Sequence, residues 1–208
     1  MRRRLGILFM VLGTVLVLGA IGLVFYNTQE DQAAREFSNS VMPEIREQIL
    51  QMKETVSTET PVQTPENTPV EYLSSEDLTM TEKIVDGYGY IGYLQIPDLE
   101  LELPVMSQWD SGRLQMSPCR YTGSTRGENL VIMAHNYRSH FGGLSQLSVG
   151  AQVQFVDMDG KRWDYQVVAI DVLAAEAVEE MTAGVYDLAL FTCSTNRTHR
   201  VTVYCDLV

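Results

Sequence analysis

The feature that most constrains this chain is an uncharged run of 22 residues close to its start. The run extends from Leu5 to Tyr26 and directly follows three consecutive arginines, Arg2 to Arg4. At about 1.5 Å of rise per residue, a helix of this length spans roughly 30 Å, the thickness of the hydrocarbon core of a bilayer. The sequence therefore predicts a transmembrane helix at residues 5–26, after a short tail of residues 1–4.

The same run could instead be read as a cleaved signal peptide. The apolar region of such a peptide is about 7–15 residues long and leads to a cleavage site made of small residues. Here the run is longer, and it ends in the bulky sequence Val24-Phe25-Tyr26, so an uncleaved anchor is favoured. Because arginines precede the run and acidic residues follow it, the tail is expected to be cytoplasmic and the remainder extracellular, at the cell membrane.

Charge and cysteine content exclude several classes of protein. The formal net charge is −12, and the sequence has no basic stripe of the kind that neutralises phosphates, so no nucleic-acid partner is expected. Three cysteines are too few for a disulfide framework, and an odd number leaves at least one thiol unpaired within the chain.

Residues 27–86 are predicted to form an extracellular stalk and a flexible linker. Five apolar residues recur every three or four positions, as on one face of a helix: Phe37, Val41, Ile45, Ile49 and Met52. This stripe is narrow, so it favours a stalk or a weakly packed appendage, and Pro43 predicts a kink or a division into two shorter helices. The segment from Thr55 to Pro69 is rich in Thr, Pro and Glu, which predicts an extended linker. A second short helix is predicted from Ser75 to about Val85.

Residues 87–208 are predicted to form the functional domain, mainly of β structure. Short β-rich runs alternate with turn residues, and Asp159-Gly160 supplies the turn of a hairpin. Seven or more strands in about 120 residues leave little room for helices and predict an antiparallel barrel or sandwich. The predicted strands are Tyr90–Ile96, Leu101–Met106, Asn129–Ala134, Gln152–Val156, Trp163–Leu173, Leu188–Thr192 and Val201–Val208. In the last of them, alternation places Cys205 on the apolar face and Arg200 on the opposite face.

The residues capable of chemistry are few. A zinc site of cysteines and histidines needs closely spaced ligands such as C-x-x-C, and the sequence has none. Nucleophilic catalysis needs only one thiol and one imidazole brought together in space. Cys193 and His135 each follow an apolar run, where a strand can hold the backbone while a neighbouring loop admits substrate. A buried cysteine and a structural histidine are the plain alternatives at these two positions.

An arginine lies near the candidate cysteine along the chain. Arg200 begins the final strand, seven residues after Cys193, so a loop and a return strand would bring the two close together. An arginine there can donate hydrogen bonds to an oxyanion and keeps its charge. Arg197, within the intervening loop, is the competing candidate, and an exposed surface arginine is the alternative for both.

At these residues the chain resembles the sortases, the membrane-anchored cysteine transpeptidases of Gram-positive bacteria. The motifs occur in the order of that family and cover about 60% of the chain, from Gly87 to Val208. They are Tyr90–Pro97 with Leu103-Pro104-Val105, Tyr121–Ser124, His135-Asn136 followed by Phe141–Leu144 and Leu147–Gly150, Phe191–Ser194, and Thr198–Val201.

The resemblance implies an eight-stranded sortase-type β-barrel and a two-step acyl transfer. Cys193 would cleave a C-terminal LPxTG-like sorting signal of a surface protein and form a thioacyl enzyme. His135 would act as general acid and then as general base, while Arg200 would stabilise the oxyanion. The acceptor amine would belong to a peptidoglycan precursor or to a pilin lysine. No cofactor is implied, although the many carboxylates permit a calcium site. A non-catalytic, membrane-anchored adaptor with a sortase-like barrel is the alternative function.

Departures from the family patterns bear on the subclass. No D-P-[FWY] lid motif precedes Tyr90, and no second transmembrane run follows the barrel; both absences weaken a pilin-polymerising enzyme. The segment between Leu173 and Leu188 holds only a short helix, at about residues 175–181, rather than a long one. A class B-like or class D-like enzyme is therefore predicted. Cys119 lies outside the family motifs, and its pairing with Cys205 is left open.

Overall fold

The computed structural model describes residues 2–58, 79–127, 129–193 and 198–208, and it contains three α-helices and nine strands. The helices are α1 (Arg2–Thr58), α2 (Ser111–Met116) and α3 (Val178–Met181). The strands are β1 (Lys83–Val85), β2 (Tyr88–Ile96), β3 (Leu101–Met106), β4 (Cys119–Thr122), β5 (Leu130–Ala134), β6 (Gln152–Asp157), β7 (Arg162–Ala174), β8 (Leu188–Cys193) and β9 (His199–Leu207). Most of the predicted strands are thus confirmed to within two residues, whereas β1 and β4 were not predicted.

Eight of the strands form a closed barrel. The order β2-β3-β4-β5-β8-β9-β7-β6 closes because β6 also pairs with β2. Two neighbouring pairs, β3–β4 and β5–β8, are parallel, so the expectation of an antiparallel barrel or sandwich is wrong in that respect. A parallel neighbour requires a long crossover, and here the β6–β7 hairpin and α3 lie between β5 and β8 in the chain. The barrel of eight strands implied by the family resemblance is confirmed.

The barrel interior forms the main hydrophobic core. Inward-facing side chains of all the long strands contribute to it, including Leu94, Ile132, Phe155, Leu190 and Val203. Cys205 lies in the same core and is fully buried, as the alternation along β9 predicts. Since β7 and β9 pair along nearly their whole length, this part of the barrel wall is continuous up to Arg200.

Helix α1 packs on the outside of the barrel. Val41, Ile45 and Ile49 are buried in a second cluster that includes strand residues Tyr90 and Met106. The segment is helical as predicted, but it lies against the barrel and does not stand apart from it. Arg46 also pairs with Glu102 of β3. Together these contacts hold one face of α1 along the barrel wall.

The helix continues through Pro43 without dividing, so of the two predicted alternatives, a kink or two shorter helices, the second is wrong. A proline inside a helix removes one backbone hydrogen bond and clashes with the preceding turn, at a cost of about 3 kcal/mol. Burying a large aliphatic side chain contributes roughly 1.5–3 kcal/mol. The packing of Val41 and Ile45, which flank the proline, offsets its cost.

The predicted helix from Ser75 to Val85 is wrong where the structure describes it. Residues 83–85 form β1, which pairs with the start of β2 in a tight hairpin. Asp86 and Gly87 at the turn both have positive φ, the conformation of the two-residue turn that suits the twist of paired strands. Residues 75–78 and most of the predicted linker lie outside the described residues.

Candidate active site

Strand register brings the three candidate catalytic positions to one end of the barrel. Strands β5 and β8 are parallel with Ala134 opposite Thr192, so His135 and Cys193 are the next positions along the two strands. Strand β9 lies antiparallel on the other side of β8, with Arg200 opposite Cys193. Paired Cα atoms lie about 4.5–5.5 Å apart. The backbone of Cys193 is therefore flanked by those of the histidine and the arginine, as the sequence motifs predicted.

A buried hydrogen bond fixes this register at the residue before each candidate. The Thr192 hydroxyl donates to the Ala134 carbonyl at 2.8 Å, and the threonine is only 3% exposed. The bond ties β5 to β8 directly beneath the end of both strands. The side chain of Cys193 and all of Arg197 lie outside the described residues, so the roles of both stay predictions.

His135 directly precedes a compact loop, residues 136–143, which we call the histidine loop. The imidazole is half-buried, and its ring centroid lies 4.9 Å from that of Tyr137. The His135 carbonyl accepts a hydrogen bond from the Phe141 amide at 3.1 Å, which closes the loop on itself. Phe141 is fully buried in the barrel core and anchors the far end of the loop.

His140 lies within the same loop but in a different environment. It is fully buried, and neither ring nitrogen has hydrogen-bond geometry to a partner in the part of the chain that the structure describes. Burial, and secondarily the neighbouring His135, lower the pKa of His140 to about 4; Asp31 and the Met116 backbone offset part of this shift. His140 is thus uncharged at neutral pH, which leaves His135 as the histidine of this loop suited to proton transfer.

Arg200 is held from both sides by the sheet. It pairs with Leu173 of β7 and with Cys193 of β8, and its side chain is half-buried. One guanidinium nitrogen lies 3.4 Å from the His199 carbonyl, a long hydrogen bond that restrains the side chain only weakly. A guanidinium in this position has several donors and a permanent charge to offer a developing oxyanion.

The outer surface next to these strand ends is apolar. Tyr204 of β9 and Phe191 of β8 belong to a third hydrophobic cluster, which Met181 of α3 covers. The rings of Tyr121 and Phe191 meet edge to face at 5.4 Å, and Trp109 stacks on the other side of Tyr121 at 5.5 Å. The short helix expected at about residues 175–181 is confirmed as α3 and supports this surface.

The other two cysteines are buried, free thiols. Cys205 lies in the barrel core, whereas Cys119 lies in the cluster beneath α1, so they do not form a disulfide. Burial raises the pKa of each thiol to about 12. Because the thiolate is the reactive form, both residues are poor nucleophiles at neutral pH.

No metal site is apparent in the described ranges. Among residues 2–58, 79–127, 129–193 and 198–208, no group of three histidine, cysteine, aspartate or glutamate side chains could hold a metal ion. A calcium site therefore has no ligand set in this part of the chain, and the expectation of a cofactor-free enzyme stays a prediction.

The sequence did not reveal the contacts that α1 makes with the histidine loop. Asp31 accepts a hydrogen bond from the Ser139 amide, and Glu30 accepts one from the Tyr137 hydroxyl. These partners are 107 and 108 residues apart in the chain. Their only sequence signal is an acidic pair shortly after the apolar run, which is equally typical of any solvated helix.

The geometry agrees with comparisons to known proteins. Residues 94–208 match a family model described as Sortase domain. Sortase C1 of Streptococcus agalactiae is 25% identical, with 60% of this chain and 70% of that chain covered and a TM-score of 0.53. Sortase C1 of Streptococcus suis is 26% identical, with 57% and 73% covered and a TM-score of 0.51.

A third solved structure shares the fold over more of the chain. The sortase D5 transpeptidase of Clostridium perfringens is 12% identical, with 83% of this chain and 99% of that chain covered and a TM-score of 0.59. No curated relative matches the chain significantly. Because the family model spans more than half of the residues, and the barrel order follows from the same segments, the chain belongs to the sortase family, whose members are transpeptidases.

Proposed function

We propose that this sortase cleaves a C-terminal LPxTG-like sorting signal and transfers the protein that bears it to an amine. Cys193 is the nucleophile, His135 the general acid and base, and Arg200 the oxyanion-stabilising group. One observation carries the proposal: the ladder that sets His135 and Arg200 on either side of the Cys193 backbone. A structural cysteine needs neither an imidazole nor a guanidinium beside it. A cysteine nucleophile uses the imidazole for proton transfer and the guanidinium to stabilise the oxyanion.

The first half of the reaction is acylation. The Cys193 sulfur attacks the carbonyl carbon between the fourth and fifth residues of the signal, and the carbonyl π electrons move to oxygen. Arg200 donates hydrogen bonds to that oxyanion, which is where preformed donors lower the barrier most. When the C–N bond breaks, the imidazolium of His135 gives its proton to the departing amine. The products are a thioester on Cys193 and the released C-terminal peptide.

The second half is transfer. An incoming primary amine attacks the thioester carbon, and the neutral imidazole of His135 accepts the proton that the amine loses. The C–S bond then breaks, an amide forms, and the thiolate is regenerated without any net redox change. A free cysteine has a pKa near 8.5, so an adjacent imidazole assists thiolate formation at neutral pH. The amine belongs to a peptidoglycan precursor or to a pilin lysine.

The membrane assignment is part of the same proposal. The structure has one helix long and apolar enough to cross a bilayer, within Phe9–Lys53 among the described residues, and its apolar window is entirely unburied. We assign residues 5–26 as the anchor, with the arginines on the cytoplasmic side and the barrel outside. The subclass, class B-like or class D-like, stays a prediction.

The deciding experiment uses the full-length chain in detergent micelles. It is incubated with a library of sorting-signal peptides and hydroxylamine, and mass spectrometry identifies peptides converted to hydroxamates after their fourth residue. The parent chain should give such products, and Cys193→Ala should reduce them by at least about 10³-fold while the fold is retained. Cys119→Ala, which removes a buried thiol, is the matched control and should keep the activity. Full activity in Cys193→Ala would instead point to another nucleophile, whereas a parent chain that gives no product would support the adaptor alternative.

A further inference from the structure

One aspartate of helix α1 forms hydrogen bonds with the histidine loop. The Asp31 carboxylate accepts a hydrogen bond from the Ser139 amide at 2.8 Å. The Ser139 hydroxyl lies 2.8 Å from the same carboxylate oxygen and 3.1 Å from the Asp31 carbonyl, and it donates to one of them. Hydrogen bonds to a charged acceptor are stronger than neutral ones, at about 1.5–3 kcal/mol net. A single residue of α1 therefore fixes both the backbone and the side chain of Ser139.

A second contact joins the preceding residue of the helix, Glu30, to the ring beside His135. The Tyr137 hydroxyl donates to Glu30 at 3.3 Å. Burial, and then the nearby Glu30 carboxylate, raise the pKa of Tyr137 to about 12, so it keeps the proton that it donates. The Tyr137 ring lies between the rings of His135 and His140, at 4.9 and 5.5 Å. A shift of this tyrosine would thus change the surface against which the His135 imidazole rests.

The rest of the loop is held by contacts within the loop itself. Its second half is tied back by the Tyr137 carbonyl, which accepts from the amides of His140 and Gly142 at 3.0 and 2.8 Å. A Cβ on Gly142 would lie 2.6 Å from the Asn136 carbonyl oxygen, so only glycine fits where the loop closes. In the first half, the side chains of Tyr137 and Ser139 form their hydrogen bonds with Glu30 and Asp31 of α1, so these two acidic residues hold that part of the loop.

We propose that Asp31 and Glu30 are positioning residues, through which α1 fixes the orientation of the His135 imidazole. This inference rests on the proposed catalytic role of His135. Asp31 follows Tyr26 by five residues, about 7.5 Å along a helix. The helical turn that directly follows the predicted anchor is thus the turn that contacts the histidine loop. One helix therefore connects the anchor to the candidate site.

The test uses full-length protein in detergent micelles and two readouts. The first is kcat/KM for peptide transfer to hydroxylamine. The second is the pH dependence of Cys193 alkylation by iodoacetamide, which reports on the thiol–imidazole interaction without any peptide. Asp31→Ala should lower kcat/KM by about 10- to 100-fold, since small misplacements of a catalytic group cost this much. It should also shift the alkylation profile toward that of an unassisted thiol. Asp31→Asn keeps an acceptor for Ser139 and should restore kcat/KM to within about fivefold of the parent.

Three comparisons make the result decisive. Glu36→Ala changes an exposed acidic residue one and a half turns further along α1 and should leave both readouts unchanged. If Asp31→Ala unfolds, Ser139→Ala replaces it and should shift the alkylation profile in the same direction by a smaller amount. The inference is overturned if Asp31→Ala, or Ser139→Ala in its place, matches the parent in both readouts, or if Asp31→Asn is as impaired as Asp31→Ala. Should Cys193→Ala itself remain active, the proposed function fails instead.

Discussion

The site combines two regions that are held in place by different means. Cys193 and Arg200 belong to a strand ladder in which each backbone position is paired on at least one side. His135 leads into a loop whose first half depends on side-chain contacts with a helix more than 100 residues earlier in the chain. Many backbone hydrogen bonds act cooperatively in the ladder, whereas the first half of the loop is held by a few side-chain hydrogen bonds. Loss of one side-chain contact should therefore disturb the loop far more than the ladder, unless that side chain takes part in the chemistry.

Among the residues of the ladder, Arg200 is expected to have the largest effect on activity, because its side chain is proposed to act on the reacting atoms. Arg200→Ala should lower kcat/KM for peptide transfer by about 10²–10³-fold, the usual cost of removing one oxyanion donor. The backbone pairing with Cys193 needs no side chain, so the thermal unfolding midpoint should change little. Arg197→Ala is the matched comparison and should cost less than about tenfold, because Arg200 is the proposed oxyanion donor. The reverse order would transfer the oxyanion role to the loop residue.

The ladder was largely predictable from the sequence, for a physical reason. Apolar runs of the right length, separated by turn residues, mark the strands that fill the barrel core, and β3 was predicted at its observed bounds. The position of Cys193 and Arg200 at opposing strand ends then follows from one short loop between two strands. The parallel pairing of β5 with β8 was not predicted, because the local pattern contains no signal for it.

The parts of the fold that the sequence did not predict depend on contacts between residues that are distant in the sequence. Strand β4 holds only four residues, with Arg120 and Tyr121 in its centre, so it has no apolar run to mark it. Strand β1 was predicted as helix because its three residues form a strand only by pairing with Tyr88–Tyr90. The packing of Val41 and Ile45 on the barrel could not be inferred either, since a stripe of that width suits a free helix equally well.

The histidine loop offers a second test, through the pH dependence of stability. The pKa of His140 is lowered to about 4 in the folded state, whereas an unfolded histidine titrates near 6.5. The unfolded chain therefore binds this proton at a higher pH, and folding loses stability as the pH falls from about 6.5 to about 4. A shift of this size corresponds to roughly 3 kcal/mol in full. His140→Leu should remove this acid sensitivity, as urea midpoints of the full-length protein between pH 4 and 7 would reveal.

The neutral pH range provides the internal control for His140. Near pH 7 both states of the parent are largely uncharged at this position. The variant should differ from it by no more than about 1 kcal/mol, because leucine replaces two buried ring nitrogens that lack good hydrogen-bond geometry to the described residues. Parallel pH curves for the two proteins would contradict the buried, uncharged state of His140. They would also make His140 a second candidate for proton transfer beside His135.

The smallest effect is expected from the side-chain hydrogen bond between Thr192 of β8 and Ala134 of β5. Thr192→Val removes the hydroxyl that donates to the Ala134 carbonyl but keeps the shape of the side chain. Its loss should cost about 1 kcal/mol of unfolding free energy and less than about tenfold in kcat/KM. Five backbone-paired positions between the two strands remain to hold the register. Thr202→Val on β9 is the control: its buried hydroxyl has no partner in the described part of the chain, so the change should be neutral or stabilising. If Thr192→Val instead impaired transfer as strongly as Asp31→Ala, the ladder would depend on single side chains as much as the histidine loop does, and the distinction between the two regions would fail.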